Sequence, residues 1–384
     1  MSLLDHAPTF SIEDATALAQ KLYGISATAS SLPSERDQNF LLQTQTGEKV
    51  VLKIANSTED RALLDAQQRA MMRVNERVAL CQRIIPSREG LSLTEIQSRD
   101  GENHFVWMVS YIAGAPLGSL RRHSPALLGD LGRAMGQLDA ALADFDHPAI
   151  HRDFHWDIAN GLRIIRQYES LISDAEMRQM VVRISDDFEG TVAPSLKNLR
   201  TSAIHNDAND YNIIVDGGSD IYTRNQTIAG VIDFGDMVHS YTIADLAIAI
   251  AYALLDKPDP LSASAHVVKG YYAEFALRED EIAALWRLVL MRLAMSVAIA
   301  ADQQQRQPDN DYLAISQQSI RNTLPRLAAI HPRFAEEVFR RACGLPSSSE
   351  AVTRWLRANA DTFASVMEED LRDATLIVFD LSVS

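Results

Sequence analysis

The sequence predicts an α+β chain, with a small antiparallel sheet in its N-terminal part and a mostly helical C-terminal part. Three observations carry this. Short β-rich runs crowd into the first 112 residues, between turns of Gly, Pro and Ser. From Ser124 onward the apolar residues recur with helical period. Two segments, 204–215 and 228–236, interrupt the helices with apolar strands that lead into or out of turns crowded with Asp and Asn.

Each element follows in order. Residues 11–23 read as a helix, with Ser11 and Asp14 spaced for a capping box and Gly24 closing it. Strand-like runs follow at 25–32, 37–45 and 49–56, joined by the polar turn 33–36 and a turn containing Gly47. Lys53 interrupts the apolar third run, so it either snorkels at an edge or holds something anionic. Residues 59–78 read as a helix whose inner stripe carries Leu63, Ala70 and Val74, and Gln67 falls on that same stripe. Two more strand-like runs, 91–97 and 104–112, end in a turn-rich stretch containing Gly114 and Pro116. Helices are then expected at 124–145 and 155–190 and, after the second Asp-rich turn, at 241–255, 262–277, 279–304 and 310–323. The strongly apolar stretches 246–255 and 288–301 fall short of the roughly 20 residues a membrane crossing needs, and the second contains Arg292. They are read as core helices, with no membrane partner.

Bulk properties narrow the function. The chain has 384 residues, 47% hydrophobic and 23% charged, which is ordinary for a globular protein. Its formal charge of −15 argues against a nucleic-acid partner, which calls for a basic stripe. Cys81 and Cys343 are far apart and lack metal-ligand spacing, so reduced thiols in a cytoplasmic setting are expected. The organisation expected is a nucleotide-binding lobe over 1–109, a hinge over 110–118, a helical lobe over 119–345, and a linker with extension over 346–384. In the extension, a helix at 350–367 precedes a β-like run at 374–381 that has no partner in view, and a longer polypeptide is therefore expected.

The chemistry centres on residues 204–213. Asp207 and Asn212 stand five apart across a turn, and Asp233, Phe234 and Gly235 follow at the end of an apolar strand. This is the kinase order of a proton-accepting Asp, a metal-binding Asn and a metal-binding Asp. Hard oxygen ligands suit Mg²⁺, which Asn212 and Asp233 supply. An Asx-rich turn would explain one such cluster, but not two beside apolar strands with a lysine strand upstream. In that order Lys53 becomes the phosphate contact, and the backbone of Ser110, Tyr111 and Ile112 faces the nucleotide base. Gln67 stands where a kinase has the glutamate that pairs with the strand lysine, with Asp65 nearby as the alternative partner. The triplet His151, Arg152, Asp153 also spells a kinase catalytic loop, but Ile158 stands where the Asn is required and a helical period follows. It is set aside.

With these residues in place, the chain resembles the aminoglycoside phosphotransferase and choline kinase group, and within it hydroxylysine kinase-like proteins. The resemblance rests on 204–213, 230–239, Asp245 to Ala247, Asp65 to Gln68 and His151 to Asp157, and covers about residues 11–340. It implies a two-lobed protein kinase-like fold, Asp207 as catalytic base, Asn212 and Asp233 as magnesium ligands, and Lys53 on the phosphates of ATP or GTP. Phosphate coverage is assigned to Ser34 and its neighbours, although this first turn departs from the protein-kinase loop in lacking its glycines. In bacteria such domains are often fused ahead of a class III aminotransferase-like module, which implies a fused C-terminal enzyme domain here. No Ala-Pro-Glu triplet follows Asp233, so a small-molecule acceptor is favoured over a protein. The expected partner is a cationic hydroxylated amine, an amino alcohol or a hydroxylysine-like amino acid, with Asp236, Asp157 and Asp210 as candidate ammonium contacts. Aminoglycoside, choline, ethanolamine or homoserine acceptors are the alternatives. A non-catalytic nucleotide-binding module is the alternative of another class, opposed by the intact Lys53, Asp207, Asn212 and Asp233.

Overall fold

A computed structural model describes residues 7–34, 36–217, 226–306 and 311–346, with the isolated positions 354, 358 and 359. The run 374–381 and most of the helix expected at 350–367 lie outside the described residues. The chain forms two compact units. The first draws on residues within 1–120, 141–152 and 211–239, the second on residues within 121–140, 153–210 and 240–384.

The first unit opens with α1 (Ile12–Leu18), capped by the reciprocal Ser11 and Asp14 bonds, and a π-turn carries it to Gly24 at φ +73°. Strands β1 (Ala27–Leu32), β2 (Gln38–Thr44) and β3 (Lys49–Ile54) form an antiparallel meander. Next come α2 (Arg61–Arg77), capped by Asp60, and β4 (Ile84–Ile85), β5 (Thr94–Gln97) and β6 (Asn103–Ser110), with β6 pairing with β3, β4 and β5. Side chains alternate across a strand, and the pattern is plain here. Phe40 and Leu42, Leu52 and Ile54, and Val106 and Met108 form one buried face against Ala15 and Ala19 of the N-terminal helical segment. Lys53 falls on the other face, opposite Trp107 in register. The two-residue strand β7 (Ala115–Pro116) pairs with a later strand of the same unit, described below.

The second unit is helical. It contains most of α3 (Pro125–Leu142), then α4 (Gly161–Tyr168), α5 (Ala175–Thr191) and the short strand β8 (Thr201–Ile204). The single helix expected over 155–190 is broken twice. Asp157 accepts the Ala159 N–H at 2.9 Å and starts a 3₁₀ turn, and Asp174 accepts from Glu176 and Met177 and starts α5. Aspartates that satisfy the first free N–H groups of a turn restart helices. The chain then returns to the first unit as β9 (Ile213–Asp216) and β10 (Thr227–Val231), an antiparallel pair extended by β7. Strand β11 (Val238–Tyr241) leads back to the second unit and to α6 (Ile243–Ala253), α7 (Pro260–Glu274), α8 (Glu279–Arg306), α9 (Asp311–Ala328) and α10 (Pro332–Ala342).

α8 is long and apolar enough to cross a membrane, but 89% of its most apolar window is buried inside the protein. α3 and α7 approach with backbones nearly touching. A Cβ on Gly132 would lie 1.9 Å from the Val267 carbonyl oxygen, and one on Gly270 would lie 1.9 Å from that of Gly129.

Candidate active site

β8 delivers the chain into the Asp-rich loop of the second unit. The backbone N–H groups of His205 and Asn206 donate to the two carboxylate oxygens of Asp245 on α6, at 2.7 and 2.6 Å. Asn206 takes φ +65°, a conformation that Asn tolerates better than most residues. Asp207 donates its N–H to His205 Nδ1 at 3.2 Å. The Asp207 carboxylate in turn accepts from Asn209 at 3.0 Å on Oδ2 and from Arg292 Nη2 at 3.2 Å on Oδ1. Arg292, on α8, is only 2% exposed. Its other arm donates to the Trp156 carbonyl at 2.9 Å, and its guanidinium stacks 4.7 Å from the Trp156 ring. A buried cation left without such partners would be strongly destabilising.

In the first unit, Asn212 immediately precedes β9, and Asp233 lies two residues beyond the end of β10. Val231 pairs with Ile213, and the Ile232 N–H donates to the Asn212 carbonyl at 2.9 Å. Asn212 and Asp233 therefore sit at the same end of one ladder. Asp233 has φ +66° and ψ 81°, caps the 3₁₀ turn Phe234–Asp236, and keeps its side chain 53% exposed. Lys53 Nζ lies 4.0 Å from its Oδ1 and 5.4 Å from the Trp107 ring. An exposed carboxylate and a neighbouring amide residue offer oxygen donors that fit Mg²⁺, which keeps several waters and shares phosphate oxygens, and the nearby ammonium suits those same phosphate oxygens. Among the described residues no group of three His, Cys, Asp or Glu could hold a metal, so any such ion depends on non-protein oxygens too.

Two arginines unforeseen in the sequence brace this turn. Arg36, on the turn between β1 and β2, donates to Asp236 at 2.7 Å, and Arg152 donates to the Gly235 and Met237 carbonyls at 2.8 and 3.1 Å. Arg152 comes from the triplet set aside as a catalytic loop, where His151 stacks on His239 at 4.4 Å. Contacts across 200 and 83 residues leave no local signal to read.

The remaining expected residues are placed as follows. Ser34 is exposed on the β1–β2 turn, and Gln67 is buried on α2 at 8%. Asp65 turns to Arg69 at 2.7 Å and His147 at 3.5 Å. The backbone of Ser110 is engaged with residues 82 and 83, and Lys49 lies 5.3 Å over the Tyr111 ring. Ile112 packs against the Cα of Gly230, where a Cβ would meet it at 2.6 Å. Asp157 is 6% exposed and also accepts from Ser240 at 2.6 Å. Burial pushes the half-buried Asp210 carboxyl up to about 6. Asp207, Asp210 and Asp157 belong to the second unit, and Lys53, Asn212, Asp233 and Asp236 to the first.

Comparisons with known proteins agree on one family. The sequence model of the phosphotransferase enzyme family matches residues 28–283. Hydroxylysine kinase of Danio rerio is 31% identical over 340 residues, 85% of this chain and 94% of that protein. The Mus musculus hydroxylysine kinase is 29% identical over 357 residues, 86% and 93% of the two chains. Among solved structures, an amicoumacin kinase in complex with AMP-PNP, Ca²⁺ and Ami superposes with TM-score 0.64 at 14% identity, over 85% of this chain and 97% of that one. A microcompartment-associated aminopropanol kinase gives TM-score 0.62 at 18% identity, over 88% and 99%. At these identities the structural likeness speaks for the fold, a two-lobed protein kinase-like one. The chain belongs to the phosphotransferase enzyme family, as a kinase whose acceptor is an alcohol group.

Proposed function

We propose that the chain transfers the γ-phosphate of ATP or GTP to the hydroxyl of a hydroxylysine-like amino acid or a related amino alcohol. The observation that carries this reading is the 31% identity to a hydroxylysine kinase across 94% of that protein's length. Asp207 is proposed to accept the hydroxyl proton. Its two oxygens are held by Asn209 and Arg292, so the carboxylate is aimed before the acceptor arrives. Asn212 and Asp233 would hold Mg²⁺, and Lys53 would contact the phosphates. When bound, the ion neutralises charge developing on the transferred phosphoryl group.

Among the candidate ammonium contacts, Asp157 and Asp236 already receive Ser240 and Arg36. Asp210 is therefore proposed to take the acceptor's cation. The setting proposed is the cytoplasm, where the free thiols Cys81 and Cys343 stay reduced. Thermal shift with a panel of hydroxylated amines, magnesium and either ATP or GTP tests the assignment. Hydroxylysine is expected to raise the melting temperature most. Stabilisation by aminoglycosides alone, or by no amine, would remove the proposed acceptor.

A further inference from the structure

Arg36 stands on the turn between β1 and β2, the turn that carries Ser34 and has no glycine. Glycine lets backbone N–H groups come close to an anion and cradle it. A turn without it must hold phosphate by other means, and a guanidinium is the side chain best suited. The backbone at Arg36 is fixed to the strand that carries Lys53. Asn56, 2% exposed and two residues past β3, donates its N–H to Asp37 Oδ1 at 3.0 Å and its side-chain amide to the Arg36 carbonyl at 3.4 Å.

The side chain reaches the turn after β10. Arg36 Nη2 donates to Asp236 Oδ1 at 2.7 Å, which uses one of the five N–H groups of the fork. A Cβ on Gly235 would lie 3.2 Å from Asp233 Oδ1 and 3.6 Å from Arg36 Nη2, so the two atoms border the same small space. Lys53 Nζ lies 4.0 Å from that same Asp233 oxygen. Two cations therefore flank one exposed carboxylate, and all of these residues belong to the first unit. The Arg36 side chain is 34% exposed, so a ligand can reach it. As a brace alone the pair with Asp236 adds little at that exposure, and Arg152 already holds the Gly235 and Met237 carbonyls on either side.

We propose that Arg36 is a phosphate-contacting residue, a role that rests on the nucleotide site proposed at Asp233 and Lys53. It keeps Asp236 on one edge of its guanidinium and takes oxygens of the β- and γ-phosphates on the other. A side chain thus does what a glycine-rich turn does with backbone N–H groups. Asp236 aims the guanidinium before the nucleotide arrives.

The test is titration calorimetry with magnesium, comparing AMP-PNP and GMP-PNP with AMP and GMP on the parent, Arg36→Met and Arg36→Lys. Arg36→Met keeps an apolar stem and loses the charge. It should bind the preferred triphosphate analogue about tenfold to a hundredfold more weakly than the parent, and the matching monophosphate equally well. Arg36→Lys keeps the charge without the fork and should recover only part of the loss. Equal triphosphate affinity in parent and Arg36→Met, or an equal loss for mono- and triphosphate, would overturn the proposal. A collapse in the melting temperature of Arg36→Met with parental triphosphate affinity in Arg36→Lys would make the ion pair a scaffold and overturn it too. A parent that binds neither analogue would instead remove the nucleotide site at Asp233 and Lys53, and the role of Arg36 with it.

Discussion

The chain uses carboxylates in two opposite ways, and the turn after β10 and the loop after β8 show the difference. At the turn, Asp233 is 53% exposed, sits in a left-handed conformation, and has Lys53 4.0 Å away. At the loop, Asp245 has no exposure, and its nearest donors are backbone N–H groups. Exposed carboxylates with nearby cations are cheap to keep ionised and available to a ligand. Buried ones must be satisfied from within, and serve by fixing the backbone. Identical side chains are proposed ligand in one place and scaffold in the other, and solvent access separates the two.

The sharpest way to break this contrast is at Asp233. Asp233→Gly removes the carboxylate and relieves the φ of +66°. Turnover should fall at least about a hundredfold, while unfolding free energy rises by up to about 1 kcal/mol. Denaturant melts beside steady-state assays check both, and a parallel loss of stability would mean that Asp233 is scaffold too.

The scaffold side is probed at Gly132. A methyl there would meet the Val267 carbonyl at 1.9 Å, so Gly132→Ala should cost about 1–3 kcal/mol of stability, read by urea denaturation.

Asp210 gives a pH test of intermediate burial. Its carboxyl is raised from 3.8 to about 6, so between those values the folded state binds more protons than the unfolded one. Stability from this group is therefore present below 3.8 and falls as pH rises through about 6. The parent should lose stability across that window relative to Asp210→Asn, and parallel stability curves would contradict the assignment. The smallest effect is expected at Asp65, whose partners Arg69 and His147 are held on a partly exposed surface. Asp65→Asn should change stability by less than about 1 kcal/mol and leave nucleotide KM unchanged. A marked rise in KM would revive it as the partner of Lys53.

Local pattern carried much of the fold. The β1–β3 meander, the capping box at Ser11 and the long apolar helices were legible because period and caps are written in neighbouring residues. Strands β4 and β7, two residues each, are too short to show a period. The candidate site divides the same way. Asp207, Asn212 and Asp233 were legible as turn residues beside apolar strands. Arg292 reaches Asp207 across 85 residues and reads in sequence as a stray charge in an apolar helix. The buried Asp139 of α3 has its partner Tyr271 132 residues on, again beyond any local signal.

We propose phosphoryl transfer to a small hydroxylated amine with Asp207 taking the proton. Its most direct measurement is phosphorus NMR of hydroxylysine incubated with nucleotide, magnesium and either the parent or Asp207→Asn, alongside calorimetric nucleotide binding. The account predicts a phosphorylated hydroxyl with the parent, a rate lower by about a hundredfold to ten-thousandfold in the variant, and equal nucleotide affinity in both. Undiminished phosphorylation by Asp207→Asn would contradict it.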